Sequence, residues 1–301
     1  GILAGSNNWL TLAGAKETSA YPRQGISSAL PVYSLFPTTT GIWVGTNKGA
    51  YLLDKPGQNL TTANGLPSNL VRAFTRDGHG NLWVATPGGI AVVDDTRLRV
   101  LAVHKNPLFE SVLCLQADSE GKMWVGTAGN GISIWSPSDS SWTSITEQQG
   151  LPHNHVRALV RDNSGNMWAA TSGGGVVRFA TQDFRHFDRS DGLAGDRVYA
   201  VLEDRSGRIW MSVSQNGLQM IDAAGLHRFA GDSGYLNLKC RTLAEDKFGR
   251  IWAGTEGKGI AIFDSSGMRT LTKANGLPGD FIQKIVTDPS GDMWVATGLD
   301  G

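Results

Sequence analysis

Three arginines and two tyrosines stand at one position of a unit that recurs along this chain. That position reads Tyr33, Arg72, Leu113, Arg157, Tyr199, Arg241 and Gln283. A guanidinium offers a planar fork to a carboxylate or sulfate, and a phenol offers a stacking face with a hydroxyl. Side chains of these types converging on one mouth suit an anionic or polyhydroxylated ligand. Three positions earlier stand Asn69, Glu110, Asn154, Asp196 and Asp280. The competing reading pairs these groups with the arginines of neighbouring copies, and such balanced rims are the commoner arrangement. The acids themselves also fit as turn caps.

His153 and His155 alternate on an extended stretch, so both rings can reach one side of the loop, toward a metal or a substrate proton. The local sequence supplies no third ligand, and solvated loop histidines explain the pair equally simply. His79, His104, His186 and His227 are scattered without a common focus. Tyr235, in a longer loop over 231–239, completes the candidate ligand-binding set. Trp135, Trp142 and Tyr51 read as outer-strand packing ahead of a sugar platform. Gly173-Gly174-Gly175 precedes a strand, so it lacks the helix N-terminus that a phosphate loop needs. The Asp-x-x-Gly turns lack the closing Glu of a calcium loop. No catalytic residue, metal or cofactor is expected.

The elements that must position these side chains come from the repeat. The stretch G-L-P-S-N-L-V-R-A-F-T-R-D-G-H-G-N-L-W-V-A-T over 65–86 returns over 150–171, and again in related form near 192 and 276. Its tryptophan marks each copy: Trp43, Trp83, Trp124, Trp168, Trp210, Trp252 and Trp294, spaced 40 to 44 residues apart. That period fits a four-stranded propeller blade and exceeds that of ankyrin or TPR helical pairs. Within a copy the pattern has period two, with Val71, Ala73 and Thr75 on one face and Arg72 and Phe74 on the other, so the segments are strands. Asp77-Gly78-His79-Gly80 supplies a turn, and the same Asp recurs at 118, 162, 204, 246 and 288.

The expectation is therefore an all-β protein, a seven-bladed β-propeller of four-stranded antiparallel blades in one domain over 1–301. The last copy has only two strands, over 282–287 and 293–297. The missing pair is assigned to Gly1-Ile2-Leu3-Ala4 and Trp9-Leu10-Thr11-Leu12, so that 1–13 and 282–301 share the closing blade and cover its edges. The repeated tryptophans are placed in the core between sheets. Cys114 and Cys240, in opposite parts of the ring, read as small buried hydrophobes rather than a disulfide. With 27 basic and 27 acidic residues, the chain has no long-range field for nucleic acid or an anionic membrane. No run approaches 18 apolar residues, and the start at Gly1 without a leader reads as an excised or processed piece.

The pattern G-L-P-S-N-x-V, then D-x-x-G-x-[LM]-W-V-[AG]-T, resembles the two-component regulator propeller repeat. That family forms the extracytoplasmic sensing part of bacterial membrane receptors with histidine kinase, hybrid regulator or diguanylate cyclase outputs. The resemblance implies a periplasmic, non-catalytic sensor module that takes a small-molecule or oligosaccharide ligand, with a homodimer in the full receptor. The repeats are more distantly similar to those of streptogramin lyases, so a metal-dependent lyase using His153 or His155 is the alternative. A protein-interaction scaffold is the third reading.

Overall fold

The computed structural model describes residues 3–4, 10–13, 18–20, 30–53, 55, 57–180, 184–214, 217–229 and 239–298. Among them, six sheets, and not seven, are four-stranded antiparallel blades, over 32–60, 73–104, 112–145, 156–187, 198–229 and 240–271. This corrects the expected seven blades of one kind. The remaining sheet is five-stranded and mixed: Ile282–Thr287, Met293–Thr297, Leu10–Ala13, Thr18–Ala20 and, parallel to the last, Leu3–Ala4. Leu10–Ala13 lies directly against Met293–Thr297, with Leu12 opposite Trp294. Leu3–Ala4, assigned to that place from sequence, stands at the outer edge. Ile2 and Trp9 lie outside the described residues.

Each blade runs outward from its first strand, and the seven first strands, counting Ile282–Thr287, surround one channel. Period-two alternation puts apolar residues on both faces of each sheet, which pack against the neighbouring sheets. Between the fourth and fifth blades, Trp168, Ala170, Val176 and Phe187 meet Val198, Ile209, Met211 and Val213. Six of the seven marker tryptophans are buried, and Trp124 is partly so.

A buried indole needs an acceptor for its N–H. The turn aspartate six residues earlier provides it: Asp77 to Trp83 at 2.9 Å, and likewise Asp118, Asp162, Asp204, Asp246 and Asp288 to their tryptophans at 2.8–2.9 Å. The other carboxylate oxygen caps the turn's backbone, as when Asp77 accepts from His79 and Asn81 N–H. The first blade has Thr38-Thr39-Thr40 instead. Its Trp43 donates to Asp95 of the next blade at 3.3 Å, and Asp95 is held by Arg76 at 2.7 Å.

The Gly-Leu-Pro loops are built around short 3-10 turns. Thr61 and Asn64 cap Thr62–Asn64 reciprocally, and Gly65 ends the turn at φ 107°, a left-handed conformation that glycine adopts without a Cβ penalty. Leu66, Leu151, Leu193 and Leu277 then plug the gaps between sheets, each at most 3% exposed. Trp135 and Trp142 pack through His104 and Phe109 onto the core between the second and third blades, while Tyr51 belongs to a separate cluster. Cys114 and Cys240 are free cysteines.

Candidate functional site

A bulge places the ring of candidate residues. In six of the seven first strands the register slips by one residue at this position: Val156 pairs with Thr171 and Ala158 with Ala170, leaving Arg157 unpaired between them. A residue squeezed out of the ladder is re-aimed, which is a common use of bulges beside functional sites. Tyr33, Arg72, Leu113, Arg157, Tyr199, Arg241 and Gln283 all line the central channel, a cavity of about 670 Å³. That volume lies within the range of small-ligand pockets, roughly 300–1,000 Å³.

The polar residues three positions before this ring do not pair with the ring arginines of neighbouring blades. Asn69, Asn154 and Asp280 instead accept from the backbone N–H of Thr62, Glu147 and Lys273, at 2.8, 2.9 and 2.8 Å, stitching each 3-10 turn to the strand that follows. Asp196 pairs with Arg189 of its own loop at 3.0 Å. Arg72 lies over the Tyr33 ring at 4.8 Å, and Arg157 over Tyr199 at 5.1 Å. Arg157 Nε also donates to Ser172 Oγ at 2.6 Å. No carboxylate forms an ion pair with either arginine among the described residues. Burial pulls the Arg157 guanidinium below its ordinary pKa; nearby Arg241 acts the same way, while Tyr199 and Glu256 oppose it. Arg241 differs: Glu256 pairs with its Nε, and its guanidinium lies 5.7 Å from the Phe281 ring.

His153 and His155 stand side by side in the loop that leads into the Arg157 strand, with ring centroids 6.5 Å apart. His153 Nδ1 accepts the His155 backbone N–H at 3.0 Å, which leaves its Nε2 free of that contact. His155 Nε2 is buried without a hydrogen-bond partner. Burial first, then the Arg157 cation and His153, lower the His155 pKa and favour the neutral ring. Among the described residues, no group of three or more His, Cys, Asp or Glu side chains is placed to hold a metal. Tyr235 lies outside the described residues.

Several mouth residues escaped the sequence reading. Ser172 and Glu256 occupy the position just after the second strand, where the other copies carry Asn47, Pro87, Ala128, Ser214 and Gly298. Each bonds the bulged arginine of its own blade, so variation at this second position was the available signal. Lys239 lies 5.6 Å from the Tyr199 ring and 3.8 Å from Glu256. Lys284 also lines the channel.

The two component regulator propeller family matches this chain at 65–88, 107–129, 150–173, 192–215 and 276–298, five segments that run through the leading loop, the first strand and the tryptophan strand. The chain carries two-component regulator propeller repeats. In these repeats the first strand lines the channel, and the Asp and Trp hold the turn that follows it. No curated protein sequence matches the chain.

Among solved structures, the fold is shared with the extracellular domain of the putative one component system BT4673 from B. thetaiotaomicron, at 18% identity and a TM-score of 0.75. That match covers 92% of this chain but 38% of that one. PorZ, a bacterial surface component of the type-IX secretion system of Porphyromonas gingivalis, matches at 17% identity and TM-score 0.65, over 96% of this chain and 50% of its own. A streptogramin B lyase matches at 15% identity and TM-score 0.70, over 97% of this chain and 95% of its own. At these identities the likeness establishes the propeller fold. Among the described residues, no helix is long and apolar enough to cross a membrane.

Proposed function

We propose that this chain is the ligand-binding sensor propeller of a bacterial membrane signalling receptor, facing the periplasm and taking a glycan-derived or anionic small molecule at the channel mouth. One observation carries the reading: Arg72 and Arg157 line the channel, Arg157 on a bulged strand, each against a tyrosine and neither paired with a carboxylate. A purely structural arginine at such a rim would be neutralised, as Arg241 is by Glu256. The repeats and the shared fold of an extracellular sensor domain support the same reading. The signal passes to a second copy of the receptor through a homodimer.

The test is a thermal-shift screen of sugar acids, oligosaccharides and small carboxylic acids. A ligand at 100 times its Kd stabilises the folded state by about 2.7 kcal/mol. Arg157→Ala is expected to weaken binding at least tenfold, and Arg72→Ala to act in the same direction. If every stabilising compound shifts both variants as it shifts the parent protein, the mouth is not the site. A lyase of the streptogramin type would instead consume its ligand and lose turnover on His153→Ala. Recovery of the bound compound unchanged supports a sensor.

A further inference from the structure

The residue after the channel-ring position is small in every first strand but one: Ser34, Ala73, Cys114, Ala158, Ala200, Thr242 and then Lys284. Such a position tolerates little bulk. In the first, third and sixth blades the side chain lies over a glycine of the second strand; a Cβ on Gly126, for instance, would come within 2.5 Å of Cys114 Sγ. Lys284 replaces this pattern with a four-carbon stem and an amine, opposite Ala296, and it lines the channel.

No carboxylate pairs with Lys284 among the described residues. The two glutamates that line the channel are already committed to the turns of neighbouring blades. Glu203 accepts from Asn163 N–H at 2.9 Å, and Glu245 accepts from Arg205 N–H at 2.9 Å. Cys114, which also lines the channel, is no counter-ion: burial pushes its thiol up to about 12. Burial likewise lowers the pKa of the Lys284 amine. An ammonium on the wall of a confined channel, with no carboxylate beside it, gains a charge-assisted hydrogen bond from an oxyanion delivered by a ligand.

We propose that Lys284 is a second anion anchor below the mouth, binding the carboxylate or sulfate of an acidic saccharide or small organic acid whose remainder rests on Arg157 and Tyr199. This deepens the sensor reading and rests on it for the occupancy of the mouth, but the anchor can be tested separately. The ligand class narrows from polyhydroxylated or anionic to oxyanion-bearing, with neutral sugars excluded as strong ligands.

Isothermal titration with sodium D-glucuronate and sodium sulfate, against D-glucose as a neutral control, tests the anchor on the whole chain. The parent protein is expected to bind at least one of the two oxyanions and to bind glucose at least tenfold more weakly. Lys284→Met should weaken that oxyanion at least tenfold, while Lys284→Arg keeps it within about threefold. Equal binding by Lys284→Met and the parent overturns the anchor, as does the absence of oxyanion binding to the parent. Loss of binding in Lys284→Met but not in Arg157→Ala supports the anchor while removing the mouth from the site. Folding of Lys284→Met is checked in chloride buffer, where its melting temperature should stay within a few degrees of the parent's.

Discussion

Asp204→Ala is expected to lower the stability of the protein by about 3–5 kcal/mol, the sum of several donors left without their buried acceptor. Asp204 is 1% exposed. Its carboxylate accepts from Ser206 N–H at 2.9 Å, Arg208 N–H at 3.0 Å, Arg208 Nε at 2.5 Å and Trp210 Nε1 at 2.8 Å. Alanine leaves a buried indole donor, two turn amides and a guanidinium without their acceptor, and each unsatisfied buried donor costs about 1–3 kcal/mol. The melting temperature should fall by roughly 10 °C, given a few degrees per kcal/mol for a domain of this size. Asp204→Asn retains one acceptor oxygen and should lose clearly less. A fall of under 2 °C for the alanine variant would mean that water replaces the carboxylate and that the indole bond is dispensable.

The same aspartates set the acid limit. Burial alone would raise the carboxyl pKa values of Asp77, Asp204 and Asp246, but the indole and turn hydrogen bonds outweigh it and hold them below the ordinary value. A depressed folded-state pKa contributes stability that is complete above the unfolded value and lost as pH falls through the folded one. Stability is therefore expected to be flat near neutrality with respect to these groups and to decline below about pH 4. Urea unfolding at pH 3 and pH 7 measures this directly, and Asp204→Asn should narrow the difference between the two.

The parts of this fold legible in the sequence are those imposed identically on every copy. A marker tryptophan needs an acceptor in each blade, so Asp and Trp recur six residues apart, and period-two strands repeat between them. The first blade escapes because its acceptor, Asp95, comes from the neighbouring blade, 52 residues from Trp43. Within the closing sheet, the place of Leu3–Ala4 differs from the expectation for another reason. Gly1-Ile2-Leu3-Ala4 resembles a third strand, but backbone pairing asks only for an extended segment, and Leu10–Ala13 supplies one equally well. At the mouth, the bulged ring was visible as variation at one position. Its electrostatics were not, because Asn69, Asn154 and Asp280 are spent on amides seven residues earlier, where no arginine competes for them.

Removing residues 1–20 is expected to exceed in effect any single substitution on the channel wall. The strand Met293–Thr297 is hydrogen-bonded on one side to Ile282–Thr287 and on the other to Leu10–Ala13. Four residue pairs join it to the latter: Leu10 with Ala296, Thr11 with Val295, Leu12 with Trp294 and Ala13 with Met293. Cross-strand pairs contribute about 0.2–1 kcal/mol each, so roughly 1–4 kcal/mol is lost from these alone. The truncation also bares the backbone of a buried, apolar strand, Met-Trp-Val-Ala-Thr, which becomes a template for another chain. Light scattering after size exclusion should show the truncated protein forming larger assemblies than the parent at equal concentration. A synthetic peptide of residues 1–20, added in trans, should restore the parent's hydrodynamic size by occupying the bared edge. A truncated chain that keeps both the size and the melting temperature of the parent would mean that the outer strands of this sheet do not hold the ring closed. Closure would then rest on the packing of Trp294 and Ala296 against Val32, Leu35 and Val44 across the seam.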